Sequence, residues 1–347
     1  MNIETKQNIR SFSQSELLEI LQNEFGEKKF RTEQIYQWIW AKNVTKFSLM
    51  ANIPKSLQEK LDEKFYFNEI KIKVSQKSSD GSMKIAFELF DGKIVEGVLI
   101  PSSDRITACV SSQTGCNLSC AFCATGKIKN PRNLLFEEIF DQIFIINELS
   151  QKEFGKKLSN IVYMGMGEPL LNYENVLKSI EKVTWEKGLA FSPYRITVST
   201  VGISRMIRRL ADDNVKFNLA ISLHSANEKI RNKIMPYSQS DDLQNLSEAI
   251  KYYHKKTGDR ITYEYILFKN VNDTLQDVKE LAEFCKISPC KINIIEYNKV
   301  DDSGFEKSNN QNTEVFVNFL KNCNLIVNIR KSKGSDIDAA CGQLANK

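Results

Sequence analysis

The 347-residue sequence has no run of about eighteen apolar residues, so no segment reads as a transmembrane helix. Its start, MNIETKQNIRSFSQ, is polar and lacks the apolar core of a secretory signal. Both absences point to the cytoplasm, where thiols stay reduced. Histidine is scarce, with only His224 and His254, which narrows the options for a zinc site. There is no internal repeat and no low-complexity segment. What remains is ordinary globular material, 41% hydrophobic and 26% charged, long enough for about two domains. The eight cysteines then read as metal ligands, catalytic groups or core fillers, and not as a disulfide framework. Net charge is +5, from 48 basic and 43 acidic residues, a weak hint of a polyanionic partner. Basic residues cluster at Lys127/Lys129/Arg132, Arg205/Arg208/Arg209, Lys251/Lys255/Lys256 and Arg330/Lys331/Lys333, each of which taken singly reads as a solvated face.

The chain divides by its periodicities. Residues 1–68 carry three helical stripes, Leu17/Leu18/Ile20/Leu21, Ile35/Trp38/Ile39/Trp40 and Leu57/Leu61/Phe65. Residues 69–104 form a β-rich hairpin linker, with IKIKVSQ, KIAFELF and IVEGVLI separated by Asp80-Gly81 and Asp91-Gly92. From 105 to 330 strands and helices alternate. Strands are expected at 106–111, 161–164, 195–200, 217–222, 261–267, 292–296 and 325–329. Helical stripes between them run through Ile139, Ile180, Ile207, Ile250, Leu281 and Phe319. Repeated βα units imply a parallel sheet covered by helices. Unusual residues follow successive strands: the cysteine triplet, then GMGEP, STVG, SLHS and Asn298. Polar groups at the ends of successive strands suit a barrel, and six units suit an incomplete one. The fold class is therefore α/β, a partial (β/α)6 barrel. The polar stretch 299–312 and the tail 331–347 read as mobile segments.

In GCNLSCAFCATG, Cys116, Cys120 and Cys123 have the spacing C-x3-C-x2-C, with Phe122 before the last. Thiolates select iron–sulfur clusters or zinc. Three ligands would leave one iron of a 4Fe-4S cluster open to an exogenous chelator. The alternatives are zinc with a distant fourth ligand, or three unrelated thiols.

This pattern resembles the radical S-adenosylmethionine (SAM) superfamily. CVSSQTGCNLSCAFCATG, YMGMGEPLLN, SLHS, GSDIDAACGQL and the helical KKFRTEQIYQWIW together resemble the RlmN family of RNA adenine carbon-2 methyltransferases over nearly the whole chain. The resemblance implies one 4Fe-4S cluster on Cys116, Cys120 and Cys123, and two SAM molecules per turnover. It implies that Cys341 carries the methyl group to carbon 2, a position too electron-poor for polar displacement. Cys109 then releases the RNA through a transient disulfide with Cys341, and Glu96 accepts the proton. Gly167, Glu168, Ser199, Ser222, Leu223, His224 and Asn298 are the implied SAM contacts, with Thr200 an alternative to Ser199. The implied partners are 23S rRNA, tRNA and an electron donor such as flavodoxin or ferredoxin, with no membrane, for a monomer. Rival readings are a Cfr-like carbon-8 methyltransferase and a non-enzymatic iron–sulfur or zinc RNA-binding protein. A radical methylthiotransferase would need three further grouped cysteines, which the sequence lacks. The competing readings of single residues are Cys109 as a strand core filler, Glu96 as an exposed strand charge and His224 as a satisfied core histidine. Cys285, Cys290 and Cys323 match no motif.

Overall fold

The computed structural model describes residues 6–346. The first five residues of the expected helical region, and Lys347 of the tail, lie outside the described residues. A short strand β1 (Gln7–Asn8) leads into α1 (Gln14–Phe25), α2 (Lys29–Trp40) and α3 (Lys55–Lys64). The region closes with β2 (Phe65–Tyr66), which pairs in parallel with β1. α1 opens on a capping box: the Ser13 hydroxyl accepts from Glu16 N at 3.2 Å, and the Glu16 carboxylate accepts from Ser13 N at 2.7 Å. It stops at Gly26, whose φ of 68° only glycine adopts freely. Phe65 ends the third helical stripe in the sequence but starts β2 in the structure, still fully buried.

Ten strands form the main sheet. β3 (Lys71–Lys77), β4 (Met83–Glu88) and β5 (Ile94–Pro101) run antiparallel and join β6 (Ile106–Cys109). The chain continues through α4 (Phe136–Phe154), β7 (Asn160–Tyr163), α5 (Tyr173–Thr184), β8 (Ile196–Thr200), α6 (Ser204–Asp212) and β9 (Asn218–Ser222). It then passes α7 (Glu228–Ile234), α8 (Leu243–Thr257), β10 (Ile261–Leu267), α9 (Leu275–Phe284), β11 (Cys290–Glu296), α10 (Asn310–Asn322) and β12 (Ile326–Arg330). The strand order runs from β12 to β3 without a break in sequence, and β6 to β12 are mutually parallel. A sheet with no reversal of order has no switch point. Its site must lie inside the curve, at the carboxyl ends of the strands. β12 and β3 end the sheet unpaired with each other, so the barrel is open. The hairpin signals at Gly81 and Gly92 are real turns with φ of 87° and 76°. The three strands they join are continuous with the barrel sheet.

α7 has no counterpart in the sequence reading. Its buried residues are Arg231 and Ile234, and a buried arginine breaks the apolar stripe that announces a helix. The 299–312 stretch, expected to be mobile, is tied down: Ser308 Oγ donates to Asp273 at 2.6 Å, Lys269 N donates to the Glu306 carbonyl at 3.0 Å, and Phe305 packs on Phe268. The N-terminal helices dock on α4. Trp40 stacks on Phe136 and meets Phe140 edge-on, and Arg10 makes two 2.7 Å bonds to Asp141, with both side chains buried. Among the described residues, no helix is long and apolar enough to cross a membrane.

Candidate active site

β6 ends at Cys109, and the chain crosses the mouth of the barrel before the cysteine motif. Gln142 of α4 holds this crossing, accepting from Ser111 N at 3.0 Å and donating to the Ser111 carbonyl at 3.2 Å. The GMGEP turn after β7 lies directly beneath. A Cβ at Gly165 would sit 2.5 Å from Ser111 Oγ, and one at Gly167 would sit 2.5 Å from Gln113 Cβ. Gly167 also has a φ of 97°, so two backbones meet here at a distance only glycine permits.

The cysteine motif folds back on itself, with Cys123 N donating to the Cys120 carbonyl at 3.1 Å. Phe122 turns inward, its ring edge-on to His224 at 4.9 Å and tilted against Phe268 at 5.5 Å. The C-terminal tail straps onto the same loop: Ala124 N donates to the Gly342 carbonyl at 2.8 Å, and Thr125 Oγ1 donates to the Leu344 carbonyl at 2.7 Å.

These elements enclose a cavity of about 240 Å³. Cys116, Cys120 and Cys123 line it, and so do Cys109 and Cys341. Of the expected SAM contacts, Gly167, Glu168, Ser199, Ser222, His224 and Asn298 line it as well. Thr200 lines it too, but its hydroxyl already accepts from Gly202 N at 3.1 Å, whereas Ser199 Oγ faces Ser222 Oγ at 3.4 Å. Leu223 and Glu96 do not line the cavity. The Leu223 side chain is fully buried in the core. Glu96 is also fully buried, bound to the tail and to Lys84. The simple reading of Glu96 as an exposed strand charge therefore fails: both flanking strands and the tail cover it.

The site's electrostatics follow from burial. Burial pushes the Cys109 thiol up to about 12, the neighbouring Cys341 adds to the rise, and Arg330 opposes it. Cys341 is raised by burial and likewise opposed by Arg330. Its surface is nonetheless open to the cavity, so it lies deep in the molecule and remains reachable. Burial raises Cys116 to about 12 and raises Cys120 further. Metal-free, these thiols keep their protons, and a metal must displace them. Burial lifts Glu168 to about 7, against backbone N–H bonds from Val201 at 2.8 Å and Leu170 at 3.0 Å. His224 falls to about 3 through burial, then through Arg231. It is a neutral ring whose Nδ1 accepts from Ile266 N at 3.1 Å, which leaves the proton on Nε2.

The sequence reading missed a half-buried ion pair in the cavity wall, Arg330 Nη1 to the buried Glu264 at 3.2 Å. Its signal was there: Glu264 is a lone charge in ITYEYIL, a strand buried along its whole length.

Comparison with known proteins decides the family. The model of the radical SAM superfamily matches residues 110–285, and the model of the ribosomal RNA large subunit methyltransferase N-terminal domain matches residues 7–67. A probable dual-specificity RNA methyltransferase RlmN of Flavobacterium psychrophilum is 50% identical over 347 residues, covering 100% of this chain and 99% of the relative. Its counterpart in Streptococcus suis is 42% identical, covering 98% and 92%. The chain belongs to the RlmN family. A crystal structure of a radical SAM methyltransferase from Sphaerobacter thermophilus superposes with a TM-score of 0.91 at 33% identity, covering 98% of this chain and 100% of that one. That neighbour spans the N-terminal helices as well as the barrel.

Radical SAM enzymes use a 4Fe-4S cluster and SAM, and the RlmN-family site fits both. Among the described residues, no group of three or more His, Cys, Asp or Glu is placed to hold a single metal ion. Three thiols lining one cavity, Cys116, Cys120 and Cys123, are the donor set that an iron–sulfur cluster takes. The glycine cradle at Gly165 and Gly167 leaves backbone open where a Cβ would intrude.

Proposed function

We propose that this RlmN-family enzyme methylates carbon 2 of an adenosine in 23S rRNA and of the adenosine 3′ to the anticodon in certain tRNAs. One observation carries the reading: Cys341, from the far end of the chain, lines the same cavity as Cys109 and the three-cysteine motif. Cys116, Cys120 and Cys123 would hold the cluster, with Gly167, Glu168, Ser199, Ser222, His224 and Asn298 around SAM. When bound, the cluster supplies the single electron that makes radical chemistry at SAM possible. The remaining work belongs to the chain. Cys341 Sγ takes and carries the methyl carbon, which becomes a bridge to carbon 2 of adenine. Glu96, once the tail that covers it moves, accepts the proton that leaves carbon 2. Cys109, as thiolate, attacks Cys341 Sγ; the S–S bond forms, the S–C bond breaks, and the methylated RNA is released after protonation. His224, neutral and wedged by Phe122, orients the wall without donating charge.

The chain is further proposed to divide at 1–68, 69–104, 105–330 and 331–347, with the first part serving RNA binding. It would act in the cytoplasm as a monomer, reduced by a flavodoxin or a ferredoxin. The test uses cluster-loaded, anaerobic protein with SAM, reductant and an unmodified 23S rRNA fragment, followed by digestion and mass spectrometry. The expected product is 2-methyladenosine, absent with Cys341→Ala while RNA binding persists. 8-Methyladenosine, or undiminished methylation by Cys341→Ala, would overturn the assignment.

A further inference from the structure

Glu96 is fully buried, and the two oxygens of its carboxylate are held unequally. Oε2 accepts two backbone N–H bonds from the tail, Ala345 at 2.9 Å and Asn346 at 3.1 Å. Oε1 faces the Lys84 ammonium at 3.4 Å. Lys84 is itself buried, and it pairs in the sheet with Val98, two residues from Glu96, so the two side chains share one face of adjacent strands. The tail's other ties, at Gly342 and Leu344, lie just before this point, and Asn298 Nδ2 donates to the Cys341 carbonyl at 3.3 Å. Ala339, Ala340 and Leu344 are buried, so apolar packing holds the tail as far as Leu344, and the polar ties to Glu96 set the position of residues 345–346.

We propose that Glu96 is also the anchor of the C-terminal tail, and that tail docking and proton acceptance exclude each other because the tail covers the carboxylate, with Lys84 as the positioning residue beside Oε1. The inference rests on the reading of Glu96 as proton acceptor. Glu96 does not line the cavity and the tail covers it, so a substrate in the cavity reaches its carboxylate only when that cover moves. Residues 345–346 must let go before the carboxylate can take the proton from carbon 2, whose bonding electrons stay in the ring. Three residues separate Cys341 from Ala345, so the sulfur can keep its bond to the RNA while the end of the tail lifts. The anchor thus keeps Cys341 in the cavity in the absence of RNA and yields to it in its presence.

The test is hydrogen–deuterium exchange of the tail peptides in cluster-loaded protein without RNA. A charge-assisted hydrogen-bond pair should protect the tail by about ten-fold. Glu96→Ala and Ala345→Pro, which deletes one donor without touching the core, should both exchange faster by that factor. Glu96→Gln should stay near the parent, because its amide oxygen still accepts. Lys84→Met should loosen the tail in the same direction, and Lys84→Arg should restore it. Unchanged exchange in both Ala345→Pro and Glu96→Ala would overturn the anchor. In single turnover, Glu96→Gln should accumulate the protein–RNA adduct. Its absence would overturn the proton assignment, and with it the mutual exclusion, while faster tail exchange would still establish the anchor.

Discussion

A thiol must lose its proton before it can attack, and burial opposes that loss at Cys109. The opposing cation is Arg330, which acts on Cys109 and Cys341 together. Cys109→Ala should therefore form the RNA adduct and fail to release it, visible as a shifted band on a denaturing gel; free turnover without adduct would return Cys109 to core filler. His224 carries a second expectation. Its folded-state value of about 3 lies below the ordinary 6.5, so the unfolded chain binds a proton that the folded ring refuses. The stability it contributes is complete above about pH 6.5 and is lost as pH falls toward 3. His224→Asn, which tolerates the φ of 54° at this position, should flatten the acid side of the stability–pH curve measured by denaturant unfolding.

At the scale of elements, the join between the N-terminal helices and the barrel rests on Arg10 and Asp141. Both are buried, and Arg10 also lies 4.8 Å from the Trp40 ring. Removing one partner strands a buried charge. Asp141→Ala should cost about 3–5 kcal/mol in unfolding free energy, whereas replacing both residues by apolar ones of similar volume should cost far less. Comparable losses for the single and double changes would show that packing, and not charge, makes the join. β3 illustrates the opposite case. As the sheet's edge it is exposed along its whole length, and Lys71, Lys73 and Lys77 keep it from pairing with another chain.

Across the whole molecule, five of the twelve clustered basic residues flagged in the sequence are paired with carboxylates. Arg132 binds Asp91 and Glu138, Arg208 faces Glu248, Arg209 binds Glu174, and Lys256 binds Asp212. Arg330 is committed to Glu264. Lys331 and Lys333 instead line the cavity. They are the better candidates for phosphate contacts. Lys331→Gln and Lys333→Gln should each weaken RNA binding and lower the salt dependence of log K by about one unit, without changing the methylated position. An unchanged salt slope would place the RNA backbone elsewhere.

The helices and strands were legible because each is encoded locally. Apolar residues recur every three or four positions in α4 and α8, and Gly81 and Gly92 announce their turns. The cysteine motif was legible for the same reason, since its ligands fall within one loop. α7 was not, because Arg231 sits on its buried face. The wall pair Glu264–Arg330 joins two strands distant in sequence, and no periodicity links them. Sequence by itself determined the strand and helix order, the three-thiol motif and, by resemblance, the chemistry. Only the tertiary structure decided that Glu96 faces the tail and not the cavity, and that Cys341 meets Cys109. The tail has little apolar pattern to read, and backbone hydrogen bonds to Ala124, Thr125 and Glu96 hold it in place. Peptide groups are the same in every residue, so the side-chain sequence does not reveal where they will bind.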